Sequence, residues 1–187
     1  MTKPLHTRRA DLPFHWPEPG FDIALIEPEI PPNTGNIGRL CLATGTRLHL
    51  VGPLGFRLSE SALRRAGLDY WKDVEVIQHP NFAAFEQAVP MSRCHFFSTG
   101  GLRRYDQIHY RPGDILVFGS ESRGLDEVIL TRYAPQIAGI PMKPGPVRSL
   151  NLATSAGIIL YEALRQGDQG RPHPCHPECS RGISFGS

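Results

Sequence analysis

The stretch Gly139–Arg165, GIPMKPGPVRSLNLATSAGIILYEALR, decides the architecture. Ile137 to Ile140 is a short apolar run that reads as a buried strand. Pro141 to Arg148 cannot be helical, because three prolines remove N–H donors and fix φ. Ser149 to Arg165 then reads as a helix with Leu150, Ala153, Gly157, Leu160, Tyr161 and Leu164 on one face. Ser149 is the expected N-cap, with Asn151 in the first turn beside it. A rigid Pro/Gly loop that delivers polar residues to a helix N-terminus can hold a ligand, although an ordinary strand–loop–helix joint looks the same in isolation.

Outward from this joint, strands and helices alternate. Phe21–Glu27 is the first expected strand, followed by a turn-rich PEIPPNTG loop and a helix over Asn36–Ala43 ended by Gly45. Further strands are expected at Thr46–Val51, Val74–Gln78, Cys94–Thr99 and Asp114–Phe118. Helices are expected at Ser59–Ala66, Asn81–Val89 and Asp126–Arg132. Near-continuous apolar strands imply an α/β fold: a mostly parallel sheet with helices on both faces. The expected organisation is an irregular N-terminal extension over residues 1–20, one domain over 21–166 and a disordered tail over 167–187.

Composition excludes little else. Of 187 residues, 40% are hydrophobic and 20% charged, which is ordinary for a globular domain. No apolar run approaches the roughly 18 residues of a membrane span, and the proline-rich N-terminus has no signal-peptide core, so a cytoplasmic location is expected. The basic residues are arginines except Lys3, Lys72 and Lys143. Arginine binds phosphate in a planar fork and stacks on bases, which suits RNA, though a GC-rich genome gives the same bias. Cys41 and Cys94 lie in apolar runs and read as buried thiols. His173, Cys175, His176 and Cys179 lack the paired spacing of a zinc site, so no metal is expected.

Several catalytic signatures are missing. There is no GxGxxG after the first strand, no Lys-Ser/Thr after GSESRG, and no GxSxG or HExxH. Three polar loops at strand ends remain: Asn33–Arg39 (NTGNIGR), Gly119–Leu125 (GSESRGL) and Ile140–Asn151. In this order they resemble the three motifs of the SpoU branch of the SPOUT RNA methyltransferases. PEIPPNTGNIGRLCLATG and LRRAGLDYW further resemble the single-domain members that 2'-O-methylate the tRNA wobble nucleotide.

The resemblance covers Phe21 to Arg165 and implies a C-terminal deep trefoil knot, S-adenosylmethionine as cofactor and a homodimer with the last helix at its interface. It places the cofactor on Phe97, Ser98 and Thr99, on Gly119, and on Ile140 and Met142, with Ser149 and Leu150 closing the pocket. Asn33, Arg39, Glu121, Ser149 and Asn151 match the family's functional polar set. Glu121 would orient Arg39 or Asn33. Arg64, Arg65, Lys72, Lys143 and Arg148, with Arg103 and Arg104, are the candidate RNA phosphate contacts, and Tyr70 and Trp71 would stack on a base or pack as core. The expected partners are the tRNA anticodon stem-loop and a second copy of the chain, with no membrane and no DNA. The expected substrate is the wobble nucleotide of leucine tRNAs. Another tRNA position, ribosomal RNA and a non-catalytic RNA-binding relative are the alternatives.

Overall fold

The computed structural model describes residues 12–56 and 70–168. The expected helix at Ser59–Ala66, Arg64, Arg65 and the Cys/His tail lie outside them. Seven strands form one sheet: β1 (Asp22–Ile26), β2 (Arg47–Val51), β3 (Val76–His79), β4 (Cys94–Phe97), β5 (Arg103–Arg104), β6 (Ile115–Phe118) and β7 (Ile137–Gly139). The order is β3-β2-β1-β6-β4-β7-β5, and every pairing is parallel.

Alternation along the strands divides the core. Ile23, Leu25, Leu48, Leu50, Leu116 and Phe118 point to one face, beneath α1 (Pro31–Thr44) and α4 (Leu152–Gly167). Ala24, Ile26, Val51, Phe96 and Val117 point to the other, beneath α2 (Phe82–Ala88) and α3 (Glu127–Arg132). The parallel sheet covered on both faces is as expected, and Cys41 and Cys94 are buried thiols whose pKa burial pushes up to about 12.

Four local expectations need correction. Helix α1 begins at Pro31, five residues before the expected start, because prolines at the first helical positions sacrifice N–H groups that had no partner anyway. Asn151, not Ser149, caps α4, its Oδ1 accepting from the Ala153 and Thr154 amides at 2.9 and 3.3 Å. The buried face of α4 is Ala156, Ile159, Leu160, Ala163 and Leu164, while Tyr161 is 56% exposed. Small residues on both sides of the helix blur that phase in the sequence. Strand β5 is unexpected, since two arginines carry no apolar signal.

β7 lies between β4 and β5, which precede it in the chain. Close approach at that crossing requires glycine: a Cβ on Gly101 would stand 2.4 Å from the Ala138 carbonyl carbon. Residues 12–20 contain no helix or strand and run beside the end of α4, where the His15 amide donates to Asp168 at 2.9 Å. Among the described residues, no helix is long and apolar enough to cross a membrane.

A buried polar chain crosses the face under α2. His49 bridges Asp22 (3.3 Å) and His79 (2.9 Å), and Arg47 forks onto Asp22 at 2.9 and 2.7 Å. Burial raises the Asp22 pKa, but hydrogen bonds from His49 and Arg47 outweigh it and hold the carboxyl below its usual range. Burial, then the neighbouring His49, lowers the His79 pKa. Both folded-state values are depressed, so both contributions to stability exist above the unfolded pKa and fade as pH falls. The melting temperature should therefore decline first below about pH 6.5 through His79 and again below about pH 4 through Asp22. His79→Gln should flatten the first decline, and an unchanged profile would remove His79 from this account.

Candidate active site

The C-terminal ends of β4, β6, β7 and the start of α4 enclose a cavity of about 480 Å³, within the range of small-molecule sites. The fold brings most of the expected site residues to it. Phe97, Ser98 and Thr99 extend from β4, Gly119 and Glu121 from β6, and Ile140 and Met142 from β7. Arg148, Ser149, Leu150 and Asn151 form the far wall, and Asn33 enters from α1. Phe97 stacks on Phe118 at 5.2 Å, giving an apolar floor.

A hydrogen-bonded chain fastens the three loops together. Asn151 Nδ2 donates to Asn33 Oδ1 at 2.9 Å, and Asn33 Nδ2 donates to Glu121 Oε1 at 2.9 Å. Glu121 also accepts from the amides of Glu29 (2.8 Å) and Ile30 (3.2 Å). In return, Glu29 accepts from the Ser122 amide at 3.0 Å and the Ser122 hydroxyl at 2.7 Å. Two carboxylates thus clamp the loop after β1 to the loop after β6 reciprocally. Charge-assisted bonds of this kind are roughly twice as strong as neutral ones. Glu27 has φ 49°, an uncommon left-handed conformation for a residue with a side chain, and pairs with Arg123 at 2.7 Å.

Glu29, Ser122 and Glu27 escape sequence reasoning. Their only signal is lying in or beside the polar loops, because the pairing of residues some ninety positions apart depends on β1 lying beside β6. Ser155 and Ile159, on the first turns of α4, also line the cavity and carry no sequence signal of their own.

Arg39 does not line this cavity. Its guanidinium carbon lies 4.7 Å above the ring of Tyr70, whose hydroxyl donates to the Gly35 carbonyl at 2.9 Å. Glu121 therefore orients Asn33 and not Arg39. Trp71 packs on α1 at Gly38, where a Cβ would stand 2.5 Å from the indole. Both aromatics thus pack against the domain. Lys72 and Lys143 are exposed and do not line the cavity, and Arg148 is exposed on its wall. Arg104 is tied to Asp106, and Arg103 donates to the Gln107 carbonyl.

Asn151 has two separable tasks. A capping role alone would leave Asn151→Asp fully active, since aspartate caps equally well. In the structure the amide also donates to Asn33, which a carboxylate cannot do. Asn151→Asp should therefore keep the thermal stability of α4 yet lose activity, whereas Asn151→Ala should lose both, the cap costing about 1 kcal/mol. Full activity in the aspartate variant would reduce Asn151 to a cap.

Residues 20–161 match the SpoU rRNA Methylase family. The chain is 50% identical over 149 residues to a tRNA (cytidine(34)-2'-O)-methyltransferase of Methylovorus glucosotrophus, covering 79% of this chain and 96% of the relative. It is 46% identical over 147 residues to the enzyme of the same description from Escherichia coli K12, covering 78% and 93%. A solved structure concerned with 2-OH methylation of C/U34 on tRNA superposes with a TM-score of 0.72 at 50% identity, covering 78% of this chain and 95% of that one. The AdoMet-bound rRNA methyltransferase of Sinorhizobium meliloti gives 0.64 at 29% identity, covering 78% and 56%. With three motif loops fastened around one cavity and a match that runs through all of them, the chain belongs to the SpoU methylase family.

Proposed function

We propose that this chain is an S-adenosylmethionine-dependent tRNA 2'-O-methyltransferase acting on the ribose of nucleotide 34, the wobble position, of leucine tRNAs. The observation that carries the reading is the Asn151–Asn33–Glu121 chain, which joins the three family motifs around one pocket. Identity of 46–50% over nearly the whole length of cytidine-34 methyltransferases supports the position on tRNA.

The residues present fit the cofactor. The cavity has the volume of a small-molecule site, an aliphatic and aromatic floor from Phe97, Phe118 and Ile140, and polar edges from Ser98, Thr99 and Ser149. S-adenosylmethionine, when bound, supplies an electrophilic methyl group on a sulfonium. Phe97–Thr99, Gly119, Ile140, Met142, Ser149 and Leu150 would hold it. Asn33 and Glu121 fix the spacing of the loops, and Asn151 holds the start of α4 against them.

The attacking 2'-hydroxyl is a weak acid whose proton must be taken or shared as the new bond forms. A guanidinium has no acceptor to offer a proton, so Arg39 serves by clamping an RNA phosphate or stabilising developing negative charge and not as the base. Its exposed position over Tyr70 suits contact with RNA. Arg39→Lys should lose at least about tenfold in kcat/KM, because an ammonium cannot reproduce the planar fork. Full turnover would remove that role.

Lys72, Lys143 and Arg148, together with Arg64 and Arg65, supply further phosphate contacts to the anticodon stem-loop. The protein works in the cytoplasm as a homodimer through the outer side of α4, where Gly157 and Tyr161 point away from the core. Insertion of β7 between β4 and β5 supports a knotted C-terminal part. Purified protein, labelled cofactor and tRNA from cells lacking wobble methylation test the whole reading. Mass spectrometry should find 2'-O-methyl on nucleotide 34 of leucine tRNA. Methylation elsewhere would overturn the position, and tRNA binding without transfer would overturn the activity.

A further inference from the structure

The opposite end of the sheet holds a second hollow, of about 440 Å³, that the methylation chemistry does not use. It opens where β4 and β6 begin, while the cofactor pocket opens where they end. Four residues of strand at about 3.3 Å each put its Arg93–Asp114 end roughly 13 Å from the cofactor pocket, while Arg103 on β5 stands level with Phe97 at the end of β4. Arg93, His95, Arg103, His109 and Arg111 line the hollow with a single acid, Asp114. Three guanidiniums against one carboxylate leave +2 before either histidine is protonated, as much as the formal net charge of the entire chain.

Asp114 is the organiser of this cluster. Its carboxylate accepts from Arg93 Nε at 3.1 Å, from the Arg111 amide at 2.8 Å, and lies 3.0 Å from His95 Nε2. Burial raises its pKa, but bonds from His95 and Arg111 prevail and hold it below the usual range, so it stays ionised. Arg93 uses Nε and Nη2 internally, the latter on the Pro112 carbonyl. Arg103 uses Nη2 on the Gln107 carbonyl at 2.5 Å. A guanidinium has five N–H donors, so both retain free ones. Arg111 is exposed and its guanidinium has no hydrogen-bond partner among the described residues.

We infer that this hollow is a second RNA-backbone site, taking phosphodiester groups of the same tRNA at a distance from the nucleotide that is methylated. The inference rests on the tRNA reading above. The cationic groups come from the start of β4, from β5 and from the turn before β6, and Arg103, His109 and Arg111 form an exposed lip. Spread donors on an open lip suit successive phosphates of a polymer better than one small enclosed anion. No base-reading group is needed, since backbone contacts position the RNA and do not specify it.

The test is tRNA binding by the full chain over a range of salt, for wild type, Arg103→Glu/Arg111→Glu and the milder Arg111→Gln. Removing one arginine–phosphate pairing lowers the slope of log K against log salt by about 1. The double variant should raise Kd at least about tenfold at low salt and flatten the slope by about 2, and Arg111→Gln should flatten it by about 1. Unchanged melting temperatures identify folded variants, and Arg111→Gln keeps the question open to measurement if the reversal does not fold. Unaltered slopes and affinities would overturn the inference while leaving the tRNA reading intact. Saturable binding of inorganic phosphate, abolished in the variants while tRNA binding is unaffected, would mark a free-anion site and overturn it too. Wild-type protein that binds no tRNA would overturn both readings.

Discussion

Gly119→Ala should lower kcat/KM for methyl transfer by at least about a hundredfold, the scale of loss expected from a 1 Å misplacement of a catalytic site. A Cβ on Gly119 would stand 2.1 Å from the Gly124 carbonyl carbon, 2.2 Å from its oxygen and 2.3 Å from the Leu125 nitrogen. All three are backbone atoms and cannot swing aside as a side chain could. They are also held: Ser120 and Gly124 exchange amide-to-carbonyl bonds of 3.1 and 2.8 Å. The added methyl must therefore open the loop, which pulls Glu121 from Asn33 and Ser122 from Glu29 together. The check is steady-state kinetics beside calorimetric titration of S-adenosylmethionine. Cofactor affinity should fall with turnover, and a variant with wild-type affinity and rate would show that the loop accommodates the methyl without cost.

Asn33→Asp should be more damaging than Asn33→Ala. Asn33 is 6% exposed and is the only link between Asn151 and Glu121 in the described structure. Alanine removes both bonds, leaving the Asn151 amide without Asn33 and Glu121 Oε1 with only the Ile30 amide, at about 1–3 kcal/mol in total loop stability. Expressed in turnover, this is about a tenfold to a hundredfold loss. Aspartate retains the acceptor for Asn151 but presents an anion to the Glu121 carboxylate, adding repulsion to the missing bond. A double-mutant cycle with Glu121→Ala should show strong non-additivity, because both changes break the same hydrogen bond. Additive losses would mean that Asn33 and Glu121 act independently.

The layering is legible in the sequence because apolar runs in the strands are long enough to mark a sheet buried on both faces. The three polar loops at strand ends are legible too, and the resemblance to the SpoU motifs is what singles out Asn33, Glu121 and Asn151 within them. How those residues are joined is not legible, since Glu29 meets Ser122 only once β1 has paired with β6. Nor is the place of Arg39, whose seat over Tyr70 depends on the packing of the Trp71 turn against α1. The phase of α4 is hidden for a different reason. Alanine and glycine occupy both its inner and outer sides, so hydrophobicity alone carries little information about rotation.

The insertion of β7 between two earlier strands also sets a timetable. Until Ile137–Gly139 has been synthesised and seated, β4 and β5 cannot take their final places on either side of it. The pocket is later still, because its far wall and Ser155 and Ile159 belong to the last tenth or so of the domain's path. A nascent chain lacking α4 therefore has no complete pocket, and a ligand of that pocket cannot stabilise it by binding. Pairings between residues some ninety to a hundred and twenty positions apart must form without that help, and such distant pairing is intrinsically slow. A complete pocket therefore arises only once α4 has been made and seated, as a single late event.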